Sequence, residues 1–142
     1  RGASGYRLPT EAEWEHAARA HNTFLYAGSD NIDEVAWYAH NANQQCHPVA
    51  QKAPNAWGLY DMSGNVWEWC FDLFKPELYA KRAPGPVTDP LSDGHEGPRV
   101  LKGGSWSLEQ QALEPAHRSR LAPHFKTSRI GFRVVRSPHA RQ

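Results

Sequence analysis

The sequence has 142 residues, 39% of them hydrophobic, with a formal net charge of +1. That fits one domain with its own core and excludes a disordered, strongly charged chain. Six Trp, eleven Gly and eleven Pro describe a loop-rich domain with aromatic anchors, and no apolar run approaches the roughly 20 residues that span a bilayer, so a membrane partner is not expected.

Charge divides along the chain. Residues 1–98 hold 7 Lys+Arg against 13 Asp+Glu, and residues 99–142 hold 9 against 2. Packing of an acidic half on a basic half accounts for this. The cations lack the clustered runs and interleaved aromatics of a nucleic-acid-binding tail, so no nucleic-acid partner is expected. Two cysteines, Cys46 and Cys70, are too few for a disulfide framework and leave both a single pairing and two free thiols open. No signal peptide is visible. The opening Arg1-Gly2-Ala3, without an initiator Met, predicts a processed or partial chain.

In chain order, the first element is a helix after Arg7-Leu8-Pro9. Thr10 as N-cap and Glu13 three residues on make the capping-box pattern. Glu11, Glu13 and Glu15 put negative charge where the helix dipole favours it. Trp14, Ala17 and Ala18 fall on one face, predicted to meet the core, and the helix is expected to end near His21-Asn22. Residues 23–60 read as loops, with residues 35–38 either a short strand or one helical turn. Residues 64–72 alternate Val66, Glu68 and Cys70 with Trp67, Trp69 and Phe71, which predicts a strand. Residues 75–98 carry five prolines and are expected as a long surface excursion. Residues 99–106 form a second strand closing in a tight turn, and residues 130–136 a last strand.

Several residues invite a chemical reading. Asp61 and Glu68 bracket a turn through Gly64. Two hard oxygen donors with inward-facing carbonyls suit calcium, although a cap and a salt bridge use the same residues. The eight histidines show no metal-ligand spacing, and Cys46-His47 with Cys70 makes only a remote case for zinc. Ser105 follows Gly103-Gly104 without the strand–Ser–helix context of a nucleophile elbow. Arg118, Arg120, Arg129, Arg133 and Arg136 crowd the last quarter, either to recognise anions or to pair with the acidic half.

Taken in order, the blocks Gly5-Tyr-Arg-Leu-Pro-Thr-Glu-Ala-Glu-Trp-Glu15, Pro54 to Trp69, Val100-Leu-Lys-Gly-Gly-Ser-Trp106 and Gly131-Phe-Arg-Val-Val135 resemble the formylglycine-generating-enzyme (sulfatase-modifying-factor) superfamily. The resemblance implies an irregular α+β domain over residues 1–142, low in secondary structure and C-type-lectin-like, lacking an N-terminal portion. It implies calcium at the side chains of Asp61 and Glu68 and the carbonyls of Gly64 and Val66, with Asn41 and Asn43 near a second site. It also implies a ligand-binding groove, to which we assign Trp67, Ser105, Trp106, Arg118 and Arg120.

One departure decides the expected function. The enzymes that make formylglycine use two cysteines shortly after the Gly-Gly-Ser turn, and the ungapped positions here are Leu108 and Leu113. No Cys follows Cys70, and leucine neither ligates copper nor exchanges disulfides. Copper and cysteine oxidation are therefore not expected, and no catalytic residue is assigned. The resemblance then implies a non-catalytic binding or display module for a protein or peptide ligand. Two alternatives are the C-terminal domain of an iron-dependent oxidoreductase of the ergothioneine-synthase type, and an accessory factor for a sulfatase or another enzyme. The partner expected beyond the ligand is a second copy or the absent N-terminal segment.

Overall fold

Helix α1 (Glu11–Arg19) begins where its capping chemistry dictates. The Thr10 hydroxyl accepts the Glu13 N–H at 3.1 Å, and the Glu13 carboxylate accepts the Thr10 N–H at 2.8 Å. Arg7 forks onto the same carboxylate at 2.7 and 2.6 Å. Ala20 ends the helix in the left-handed region, one to two residues before the expected end. Trp14 and Ala18 are buried and Ala17 packs against them, as the periodicity predicts.

The computed structural model describes residues 5–77, 91–94 and 96–136. Most of the expected excursion at 75–98 therefore lies outside the described residues. After α1, a one-turn helix α2 (Ile32–Val35) runs directly into a two-residue strand, so both readings of residues 35–38 meet there. The strands are β1 (Tyr6–Arg7), β2 (Ala36–Trp37), β3 (Ser63–Gly64), β4 (Trp67–Leu73), β5 (Arg99–Lys102), β6 (Ser119–Leu121), β7 (Ile130–Gly131) and β8 (Val135–Arg136), with a 3-10 turn at Gln110–Leu113. They form a four-stranded sheet ordered β6-β5-β4-β7 and two two-stranded sheets, β1-β8 and the parallel β2-β3.

One expectation is corrected. The single closing strand at 130–136 is split: β7 pairs parallel with β4, while β8 pairs antiparallel with β1. The intervening Phe132-Arg133-Val134 leaves the ladder so that Arg133 can turn inward to Glu68. The alternation in β4 is real, but its buried face is Glu68, Cys70 and Asp72, while Trp67 and Trp69 are half-buried and Phe71 is exposed. The four-stranded sheet turns this polar row toward α1, where Trp14, Ala18, Met62, Cys70 and Val100 form one core cluster. Tyr26, Ile32, Val35, Ala36, Tyr38 and Leu113 form a second.

Candidate functional site

Between α1 and the sheet lies a layer of buried ions. Glu11 is buried and takes a two-pronged ion pair from Arg118, both contacts 2.7 Å. Lys102 is 0% exposed; its ammonium sits 3.1 Å from Glu15 and 4.0 Å from Glu11. Asp72 accepts the N–H of Glu11 at 2.7 Å, capping the helix start, and the N–H of Ser92 at 3.0 Å. Each buried carboxylate has a cation or N–H donors, as a low-dielectric interior demands. Burial pushes the Cys70 thiol far above its ordinary pKa, against a smaller opposing pull from Lys102. That thiol is therefore an inert core group. Cys46 is exposed and both cysteines are free, so the open question of pairing closes in favour of two thiols.

Glu68 sits at the other end of this layer. Arg133 forks onto it at 2.5 and 2.7 Å, and the Trp14 indole N–H donates to it at 2.6 Å. A carboxylate offers about four lone-pair positions, so these three donors leave one on Oε1. Asp61, held at φ +56, gives Oδ2 to the Ala50 N–H at 2.8 Å and keeps Oδ1. Gly64 lies at φ +78 against the Trp37 carbonyl, where a Cβ would come within 2.3 Å. Only glycine allows that approach. Val66 is half-buried. No cluster of three or more His, Cys, Asp or Glu able to hold a metal occurs among the described residues.

The expected groove residues divide. Trp67 and Trp106 are both half-buried and are tied to the same segment: Trp67 N–H donates to the Arg129 carbonyl at 2.8 Å, and the Trp106 indole to the Ser128 carbonyl at 3.4 Å. The Trp67 ring lies 5.9 Å from His117, and the Arg129 guanidinium 6.0 Å from the Trp106 ring. Ser105, by contrast, is fully buried, with its hydroxyl 3.3 Å from Ser107. Arg118 is engaged by Glu11 and stacks with Arg120 on the Phe74 ring, at 4.7 and 4.9 Å. The ion pair with the acidic half claims Arg118, and Arg120 stays exposed at the sheet edge.

The two leucines after the Gly-Gly-Ser turn are packed. Leu113 is 0% exposed and Leu108 packs against the same cluster. A Cβ on Gly104 would meet the Leu113 side chain at 2.9 Å, and one on Gly64 would meet it at 3.1 Å. The leucine thus fills the seam between two glycine turns. Its carbonyl accepts the Ser63 hydroxyl at 2.8 Å, and Ser63 in turn accepts the Ala27 N–H at 3.1 Å.

Sequence reasoning missed two clamps. Asn65 exchanges hydrogen bonds with the backbone of His47, both at 3.0 Å, beneath a His47 ring stacked 3.8 Å from Trp37. Asn55 donates to the Ala17 and Ala18 carbonyls at the end of α1 and accepts the N–H groups of Trp57 and Leu59. Asn beside Gly or Pro in a turn was the available signal. The partners, 18 and 37–38 residues away, were not. Asn41 is a third such clamp, accepting the Tyr38 N–H at 2.9 Å and donating to the Ala36 carbonyl at 3.0 Å.

Comparison with known proteins places this geometry. The model of the sulfatase-modifying factor enzyme 1-like domain matches residues 1–138. Chaperone protein LppX of Paenibacillus barcinonensis is 36% identical over 96% of this chain and 51% of its own length. The formylglycine-generating enzyme of Streptomyces coelicolor is 37% identical over 93% of this chain and 47% of its own. Treponema denticola variable protein 1 superposes with a TM-score of 0.84 at 35% identity, over 95% of this chain and 49% of that one. The chain spans about half the length of these relatives.

Proposed function

The chain belongs to the sulfatase-modifying factor enzyme 1-like family, and we propose that within it the chain is a binding and display module rather than a cysteine oxidase. The observation that carries this reading is Leu113. At the position where the resemblance implies a reactive cysteine, an isobutyl group is buried between Gly64 and Gly104. The thiols the chain does have are a buried one and a distant-in-sequence exposed one, both free. Trp67 and Trp106, with His117, Ser107 and Arg129 around them, offer a protein or peptide ligand flat apolar surface and a cation. The test is a thiol-oxidation assay of the purified protein, with and without copper, on a cysteine-bearing sulfatase peptide. No turnover is expected, and formylglycine formation would overturn the reading.

The likeness to a protein named a chaperone supports a second reading, an accessory factor that assists maturation of another enzyme. An increased refolding yield of a denatured sulfatase in its presence is the expected sign. Exposed Tyr6, Phe132 and Val134 near the β1-β8 pair support a partner on that side, a second copy or a further segment; light scattering showing a stable monomer would remove the second copy.

For calcium, the donors left over are Oδ1 of Asp61, one lone pair of Glu68 and the carbonyls of Gly64 and Val66. About four protein oxygens completed by water fit a low-charge site, weakened by the Arg133 cation on Glu68. Asp61→Asn keeps an acceptor for the Ala50 N–H and removes the charge. It is expected to abolish the rise in melting temperature that calcium gives over chelator. An equal rise in the variant would sink the assignment.

A further inference from the structure

At the far end of α1 three rings meet that no part of the proposed function uses. His16 lies in the last turn of the helix. Ala20 and His21 both adopt left-handed backbone, φ +46 and +63, an uncommon conformation for residues other than glycine. This pair reverses the chain and brings His21 back over the helix end. The two imidazole centres are 5.2 Å apart with their planes at 82°. Trp57 stands 5.0 Å from each, at 76° to both. Asn55 fixes it there, holding the Trp57 N–H at 3.0 Å while donating to the carbonyls of Ala17 and Ala18.

We propose that His16 and His21 form a two-imidazole site for a borderline transition-metal cation (Cu2+, Ni2+ or Zn2+), walled by Trp57. Three observations carry it. The first is spacing. Metal–imidazole bonds are about 2.0–2.1 Å, so two rings on one ion have centres about 4.5 Å apart at the right angle copper and nickel prefer and about 5 Å apart at the tetrahedral angle of zinc. The pair already stands close to that separation, 5.2 Å. The second is availability. Both histidines are exposed, and neither ring has a hydrogen-bond or ion-pair partner among the described residues. The third is the setting. The C-terminal end of a helix favours a cation, and His16 stands on α1, His21 on the left-handed turn that ends it and Trp57 beside the Asn55 clamp. With only two protein ligands, water completes the coordination, and the order of affinity follows the ligand chemistry, copper above nickel and zinc.

The test uses the untagged, chelator-stripped chain carrying Cys46→Ser, so that no exposed thiol reduces or captures the copper. Copper is titrated while tryptophan fluorescence and equilibrium dialysis are read in parallel. We expect saturable binding of one ion with partial quenching from Trp57. His16→Gln and His21→Gln should each weaken binding at least about tenfold with an unchanged circular dichroism spectrum, since both side chains are exposed. Trp57→Phe should keep the dialysis signal and lose the saturable quench. His124→Gln, on a different surface loop, should behave as the parent. Parental copper affinity in both His16→Gln and His21→Gln, or a loss of equal size in His124→Gln, would overturn the site.

Discussion

The layer between α1 and the four-stranded sheet and the seam around Leu113 hold the same domain together by opposite means. In the first, Glu11, Glu68 and Lys102 are taken out of water and must be paired, two of them by the half-buried Arg118 and Arg133. In the second, an apolar side chain settles onto two turns that lack Cβ atoms. The ion layer is intolerant of losing one partner, because the other is stranded in low dielectric. The seam responds to volume, and chemistry matters there only through size and shape. The ion layer therefore responds to charge pairing and the seam to volume, and Leu113, on which the proposed function rests, lies in the seam.

The largest effect should come from breaking the first region. Arg118→Ala leaves Glu11 with only Lys102 at 4.0 Å, and a loss of about 3 kcal/mol in a denaturant titration is expected. Adding Glu11→Gln should recover much of it, since no charge is then stranded; no recovery would mean that Arg118 acts by packing on Phe74 instead. Next comes the seam. Leu113→Ala should cost about 2–5 kcal/mol by leaving a cavity between the glycine turns. Leu113→Met, near in volume, should cost about 1.5 kcal/mol or less. Equal costs for the two would mean that the seam is not governed by volume.

The smallest effect lies at the rim, on Glu13. The Arg7 guanidinium, with help from the Thr10 N–H, holds its carboxyl below the usual carboxylate range against partial burial. A depressed folded pKa stabilises above the unfolded value and is lost as pH falls through the folded one. Glu13→Gln should therefore cost about 0.5 kcal/mol at neutral pH, because solvent screens so exposed a pair. Parent and variant should converge in acid. A gap that persisted at low pH would mean that the Glu13 charge is not the source of the difference, since Gln retains an acceptor for the capping hydrogen bond.

Local chemistry was legible in the sequence where neighbours in the chain supply it. Thr10 and Glu13 are three residues apart, so capping box and helix start follow from the text alone. The β4 alternation was legible too, and the ordered motif blocks sufficed for the family. What alternation does not reveal is which face goes inward. Hydrophobicity favours the Trp67, Trp69 and Phe71 face, yet Glu68, Cys70 and Asp72 are buried. Their partners come from α1, from residue 92 and from residue 133, up to 65 residues away. Pairing across such separations offsets the desolvation cost of a carboxylate, and no local pattern encodes it.

The sequence by itself determined the capped helix, the strand periods and the absence of cysteine beyond Cys70. Those depend on residue identity and short spacing. Only the tertiary structure decided that Arg118 pairs with Glu11, that Ser105 is buried, that residues 130–136 serve two sheets, and that Leu113 fills the seam of two glycine turns. Each of these is settled by which distant groups compete for the same buried donor, acceptor or volume, and that competition exists only once the chain has closed on itself.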